Sequence, residues 1–199
     1  EVLGTSSGLR YIAAGDSTVV GEGASSVETT YPRLVLTELS KGYTVTYKNV
    51  GVSGAKTQDV IDAQLAQIVS FNPDIVTLSV GANDSTHLWS RKTTLTNIKK
   101  IIAEITSKTH ATVYVTVVPN FEGGWLLPWV YIQLLELRNS SLNKSILALE
   151  SDRVKVVNVH DYGWEQFSSM HDIYAADGFH PNDAGYQNWA DAFLNRMQE

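Results

Sequence analysis

Short runs of apolar and β-branched residues alternate along this chain with longer segments in which apolar positions recur every three or four residues. The runs Arg10–Ala14, Thr44–Val50, Ile75–Val80, Thr112–Val118 and Val154–Val159 predict five strands. They are nearly continuous rather than alternating, the pattern of strands covered on both faces. Val60, Ile61, Leu65, Ile68 and Val69 fall at helical spacing, as do Leu95, Ile98, Ile101, Ile102 and Ile105, so each set predicts an amphipathic helix. Pro32 suits the first turn of a helix carrying Leu34, Val35 and Leu39, and a further helix carries Leu134, Leu135 and Leu142. Asn182 suits the N-cap of a last helix with Tyr186, Trp189, Phe193 and Met197 on its apolar side.

Strands joined by helical crossovers predict an α/β fold, with a five-stranded parallel sheet between two layers of helices, a three-layer α/β/α sandwich. No linker, repeat or low-complexity stretch interrupts it, and 199 residues suit a single domain spanning 1–199. In such sheets the loops leaving the carboxyl ends of the strands open on one edge, where ligands bind. Chemistry is expected along that edge.

Composition narrows the field. No run of 18 apolar residues exists, so no integral membrane segment is expected. The net charge is −6 and the basic residues are scattered, which argues against a nucleic-acid partner. There are no cysteines, which removes disulfides, thiolate metal sites and cysteine nucleophiles. The sequence opens Glu1-Val2-Leu3 without an initiator Met, so export is favoured over a cytoplasmic location. Oligomeric state is left open.

Four loops of the expected edge carry candidate chemistry: Gly15-Asp16-Ser17-Thr18, Asn49-Val50-Gly51-Val52-Ser53-Gly54, Gly81-Ala82-Asn83-Asp84, and Asp177-Gly178-Phe179-His180-Pro181-Asn182. A serine is a poor nucleophile until a base takes its proton, and an imidazole base works best when a carboxylate fixes its tautomer. Ser17, His180 and Asp177 are those three residue types. Charge developing on a carbonyl oxygen needs preorganised donors, which the N–H groups of Ser17 and Gly54 and the side-chain amide of Asn83 supply.

These four blocks resemble the SGNH hydrolases, the GDSL-type esterases and lipases, whose four naming residues match Ser17, Gly54, Asn83 and His180. The resemblance spans about Arg10 to the last helix, with the blocks in family order. It implies a flavodoxin-like sandwich and a serine esterase without cofactor or metal. In that scheme Ser17 is the nucleophile, His180 the base and Asp177 its support, and Ser17, Gly54 and Asn83 form the oxyanion hole. Thr18 stands where the family motif has Leu, and Ser53 directly precedes Gly54, departures that bear on subfamily and substrate rather than on a reacting atom.

Taken singly, each of these residues has an ordinary explanation: Ser17, Asp16, Asn83 and Asp84 as turn residues, Gly54 as a loop glycine, and His180 as an idle side chain before a helix. Four coincidences are needed for all to hold. His160 with Asp161 and His171 with Asp172 offer rival dyads, or with Asp177 a diffuse metal site, but the spacing matches no ligand motif. His87 and His110 read as surface residues. The loop Gly123-Gly124-Trp125-Leu126-Leu127-Pro128-Trp129 is either helix-start packing or an acyl-binding wall built on Trp125, Leu126 and Trp129, to which Trp164, Phe167 and Met170 could add. The substrate expected is a small-molecule ester, lipid or carbohydrate. A carbohydrate acetylesterase and an inactive binding module on the same fold are the alternatives.

Overall fold

A computed structural model of the chain describes residues 2–3, 8–119, 121, 124–159 and 170–199. Strands β1 (Val2–Leu3), β2 (Gly8–Gly15), β3 (Thr44–Asn49), β4 (Ile75–Ser79), β5 (Thr112–Thr116) and β6 (Val154–Val157) form one sheet in the order β1-β3-β2-β4-β5-β6. The pairs from β3 to β6 are parallel, and β1 adds an antiparallel edge to β3. The expected five parallel strands are thus present, with a sixth, two residues long, that carries no periodicity to announce it.

The helices are α1 (Ser17–Val20), α2 (Tyr31–Leu39), α3 (Thr57–Asp59), α4 (Leu65–Phe71), α5 (Ala82–Thr86), α6 (Arg91–Lys108), α7 (Trp129–Leu147) and α8 (Asp183–Gln198). Right-handed crossovers decide their faces. The step from β2 to β3 runs one way along the sheet and all later steps run the other way, so α2 lies on one face and α4, α6 and α7 on the opposite one. Accordingly α2 packs on α8, whereas α4 packs on α6 and α6 on α7. Tyr31 of α2 stacks on Phe193 of α8 with ring centroids 4.9 Å apart, in the first layer. Ile68, Ile98, Ile101, Ile105 and Ile146 fill the second.

The apolar runs outlast the strands. Val50, Val80, Val117, Val118 and Val159 are buried but lie beyond the paired residues, because the chain leaves the ladder while still covered by helices. The segment read as one helix around Val60–Val69 is also interrupted, by a π turn at Val60–Gln64. That extra residue in the turn turns Gln64 inward. Its side-chain amide accepts from Gly15 N–H and donates to Gly15 C=O, both at 2.8 Å, and clamps the end of β2. Gly15 itself, at φ +137°, lies so close to β4 that a Cβ there would meet the Ser79 carbonyl.

The direction of crossing changes between β2 and β4, and their outgoing loops therefore diverge to opposite faces. A crevice opens at that switch point.

Candidate active site

Ser17 leaves β2 directly into this crevice. Asp16 caps α1, its Oδ1 accepting from Thr18 N–H at 3.0 Å and Thr18 Oγ1 at 2.8 Å, and Asp16 N–H donates to Ser79 C=O on β4. The single turn of α1, closed by Gly21 in the left-handed region, holds the Ser17 side chain at the carboxyl edge. Burial pushes the Asp16 carboxyl up to about 6, against the lowering by the two Thr18 donors.

His180 arrives from the other end of the chain. Its Nε2 lies 2.9 Å from Ser17 Oγ and its Nδ1 2.6 Å from Asp177 Oδ2, so three side chains form one hydrogen-bonded line. Asp177 Oδ1 also accepts from the N–H groups of Phe179 and His180 at 2.9 and 3.0 Å. Partial burial works to raise the Asp177 carboxyl, but the bonds from the His180 ring and these two N–H groups outweigh it and hold it below the usual range. The turn is tied down by Ala175 N–H donating to His180 C=O and by Asn182, whose amide donates to Asp172 and Tyr174 carbonyls while its Oδ1 caps α8 through Gly185 N–H.

Asn83 sits in the first turn of α5, at the end of β4, and lines the same crevice as Ser17 and His180. Its Nδ2 donates to Ala55 C=O at 3.1 Å, which ties it to the residue after Gly54. Gly54 has φ +78°, and the space beside its Cα is open. The loop carrying it is fastened to the serine side by Val52 N–H donating to Gly15 C=O and by Ser53 Oγ donating to Glu22. Among the described residues neither Ser17 N–H nor Gly54 N–H has an internal acceptor.

Asp84 was expected only as a possible turn residue. It is 1% exposed and accepts from Thr57 N–H at 2.9 Å, Thr57 Oγ1 at 2.6 Å and Thr94 Oγ1 at 3.3 Å. Asn97 Nδ2 completes the cluster by donating to Thr57 Oγ1. One carboxylate thereby fastens the segment after Gly54 to the helix turn that carries Asn83. A charged residue followed by no helical pattern gave little sign of this, although Asn97, on the apolar side of α6, was a polar residue at an inward position.

The cavity beside Ser17 is a small cleft of about 50 Å³, partly open to solvent. Its apolar lining includes Phe121, Val159, Ile173, Phe179 and Trp189. Trp125, Leu126 and Trp129 do not line it. Trp125 lies over Gly178, its N–H donating to Gly178 C=O at 2.9 Å and its ring 5.4 Å from that of His171. Trp129 is 72% exposed, and with Trp125 it borders an open groove on the far side of the loop. His87 and His110 are exposed, as read. Of the rival dyads, His171 and Asp172 lie exposed on the 3-10 turn Met170–Ile173. Gly123, His160, Asp161, Trp164, Phe167 and the side chain of Met170 lie outside the described residues. Among the described residues no helix is long and apolar enough to cross a membrane.

Residues 13–187 match the GDSL-like Lipase/Acylhydrolase family. The chain belongs to that family. Membership indicates a carboxylic ester hydrolase. No curated protein matches it by sequence. Among solved structures it resembles the acetylxylan esterase Axe2 of Geobacillus stearothermophilus, with 18% identity, TM-score 0.74, and 97% of this chain and 95% of that one covered. A lipolytic protein of the G-D-S-L family from Veillonella parvula is similar at 18% identity and TM-score 0.74, over 96% of this chain and 98% of its own. An extracellular lipase of Streptomyces rimosus is similar at 19% identity and TM-score 0.73, over 94% and 99%. At such identities these likenesses describe the fold, the same α/β sandwich.

Proposed function

We propose that this GDSL-family chain hydrolyses carboxylic esters through an acyl-enzyme on Ser17. The observation that carries the reading is the line from Asp177 through His180 to Ser17, at 2.6 and 2.9 Å. With Nδ1–H donated to the carboxylate, Nε2 keeps its lone pair toward the serine hydroxyl. Ser17 Oγ attacks the ester carbonyl while His180 takes its proton, and Asp177 stabilises the imidazolium. The oxyanion is met by Ser17 N–H, Gly54 N–H and the second N–H of the Asn83 amide, the first being committed to Ala55. His180 returns the proton to the departing alcohol, then activates the water that frees the acid.

Labelling by a fluorophosphonate probe, with the adduct located by mass spectrometry, tests this. Ser17 is the expected site, and Ser17→Ala abolishes both labelling and turnover while leaving the fold intact. Folded protein that never labels at Ser17 is the inactive binding module instead.

A second reading, deacetylation of carbohydrate esters, has support in the likeness to an acetylxylan esterase and in the exposed rings of Trp125 and Trp129. Turnover of acetylated xylan against p-nitrophenyl acetate separates the two.

A further inference from the structure

The cavity beside Ser17 ends against aromatic rings. Phe121 and Phe179 stack across it with ring centroids 5.5 Å apart and planes within 12°. Both rings also line a second, packed crevice with no room for a water molecule, bounded on its other sides by Leu127, Ile132, Tyr174 and the glycines 124 and 178. Gly124, Leu127 and Ile132 in turn border the open groove beside Trp125. The stacked pair therefore borders both the cavity and the packed crevice behind it, and that crevice adjoins the open groove.

Phe179 is placed by its chain neighbours. Its N–H donates to Asp177, and its ring meets the His180 ring edge-on at 5.0 Å. Phe121 is placed by Glu136 of α7, which accepts its N–H at 2.9 Å, and by packing on Ile132 and Leu135. Neither ring can swing aside without loosening one of these supports.

The apolar lining decides which part of an ester fits. An alcohol such as a sugar or glycerol would bury hydroxyls against Ile173, Val159 and Trp189 without partners, whereas an alkyl chain gains from the same surface. Resting on the proposed acyl transfer at Ser17, we propose that the Phe121–Phe179 pair is the end wall of an acyl-binding cavity, which makes short-chain fatty acyl esters the substrates. Removing the Phe121 ring vacates that ring's own volume at the end of the cavity and admits longer chains.

The test is the chain-length profile of kcat/KM for p-nitrophenyl esters from acetyl to decanoyl, in wild type, Phe121→Ala and Phe121→Leu. Wild type favours acetyl and butyryl over octanoyl. Phe121→Ala raises the octanoyl-to-butyryl ratio about tenfold, roughly what two further buried methylenes supply, and Phe121→Leu raises it less. Adding Ile132→Phe to Phe121→Ala refills the vacated volume and returns the ratio toward wild type. If Phe121→Ala does not fold, the wild-type and Phe121→Leu profiles decide. A wild type preferring octanoyl or decanoyl, or ratios unchanged in the folded variants, overturns the end wall while ester turnover leaves Ser17 in place. Absence of all ester turnover together with an unlabelled Ser17 overturns the acyl transfer itself.

Discussion

The two halves of the site are built differently. The serine half rests on buried polar groups: Gln64 clamps Gly15, Asp16 caps the turn of Ser17, and Asp84 joins the Gly54 loop to Asn83. The histidine half is a turn whose carboxylate side chain is 45% exposed and which is held mainly by backbone bonds and by Asn182. Groups that must stay fixed while charge appears on a substrate oxygen are embedded in low dielectric, where their dipoles cost no rearrangement. The group that accepts and returns a proton in the proposed mechanism stands nearer water. Rigidity is concentrated where the oxyanion would form.

That contrast can be broken most severely from the histidine half. His180→Ala is expected to lower kcat by on the order of 10⁴–10⁶, with little change in thermal unfolding because the turn is held mainly by backbone bonds and Asn182 rather than by the ring. A large drop in Tm would show that the turn is structural after all. Next, Asn83→Ala should cost on the order of 10²–10³ in kcat with little change in KM, as loss of an oxyanion donor does. Full activity in that variant expels Asn83 from the site.

Asp84→Ala sharpens the comparison, because it touches no reacting atom. It leaves Thr57 N–H and Oγ1 without their acceptor and should destabilise the fold by about 1–3 kcal/mol. It should also lower kcat about tenfold or more by loosening Asn83 against Gly54. Asp84→Asn, which keeps an acceptor oxygen, should recover part of both. Equal kcat in folded Asp84→Ala and wild type would reduce Asp84 to a packing role.

The smallest effect concerns Asp16. Its folded carboxyl titrates at about 6, whereas an unfolded one titrates near about 4. Between those values the folded state holds a proton that the unfolded chain has released. Its contribution is therefore present in full below about pH 4 and is lost as pH rises through about 6. Asp16→Asn removes that loss, so its Tm relative to wild type should rise between pH 4 and pH 7. A constant difference across that range contradicts the buried charge.

The sheet, the crossover helices and the four loops were readable because each rests on a local signal: continuous apolar runs, helical spacing, and Asn182 ahead of an apolar face. What escaped depended on distant partners. Gln64 lay unremarked in an amphipathic stretch, and a π turn points it at Gly15. Asp84 read as a turn residue because Thr57 and Thr94 are far from it in sequence. The tryptophans of the loop after β5 were the conspicuous apolar residues, yet the cavity is walled by Phe121 and Phe179. Phe179 stood in plain view between Asp177 and His180, and its neighbours' chemistry drew attention away from it.

Ser17 and His180 are separated by 163 positions along the chain. A polypeptide emerging from the ribosome has its hydroxyl made early, but meets its imidazole only when the segment around His180 arrives. Until then the proposed nucleophile lacks its base, so the hydrolysis proposed for this site waits on long-range folding and not on any local segment.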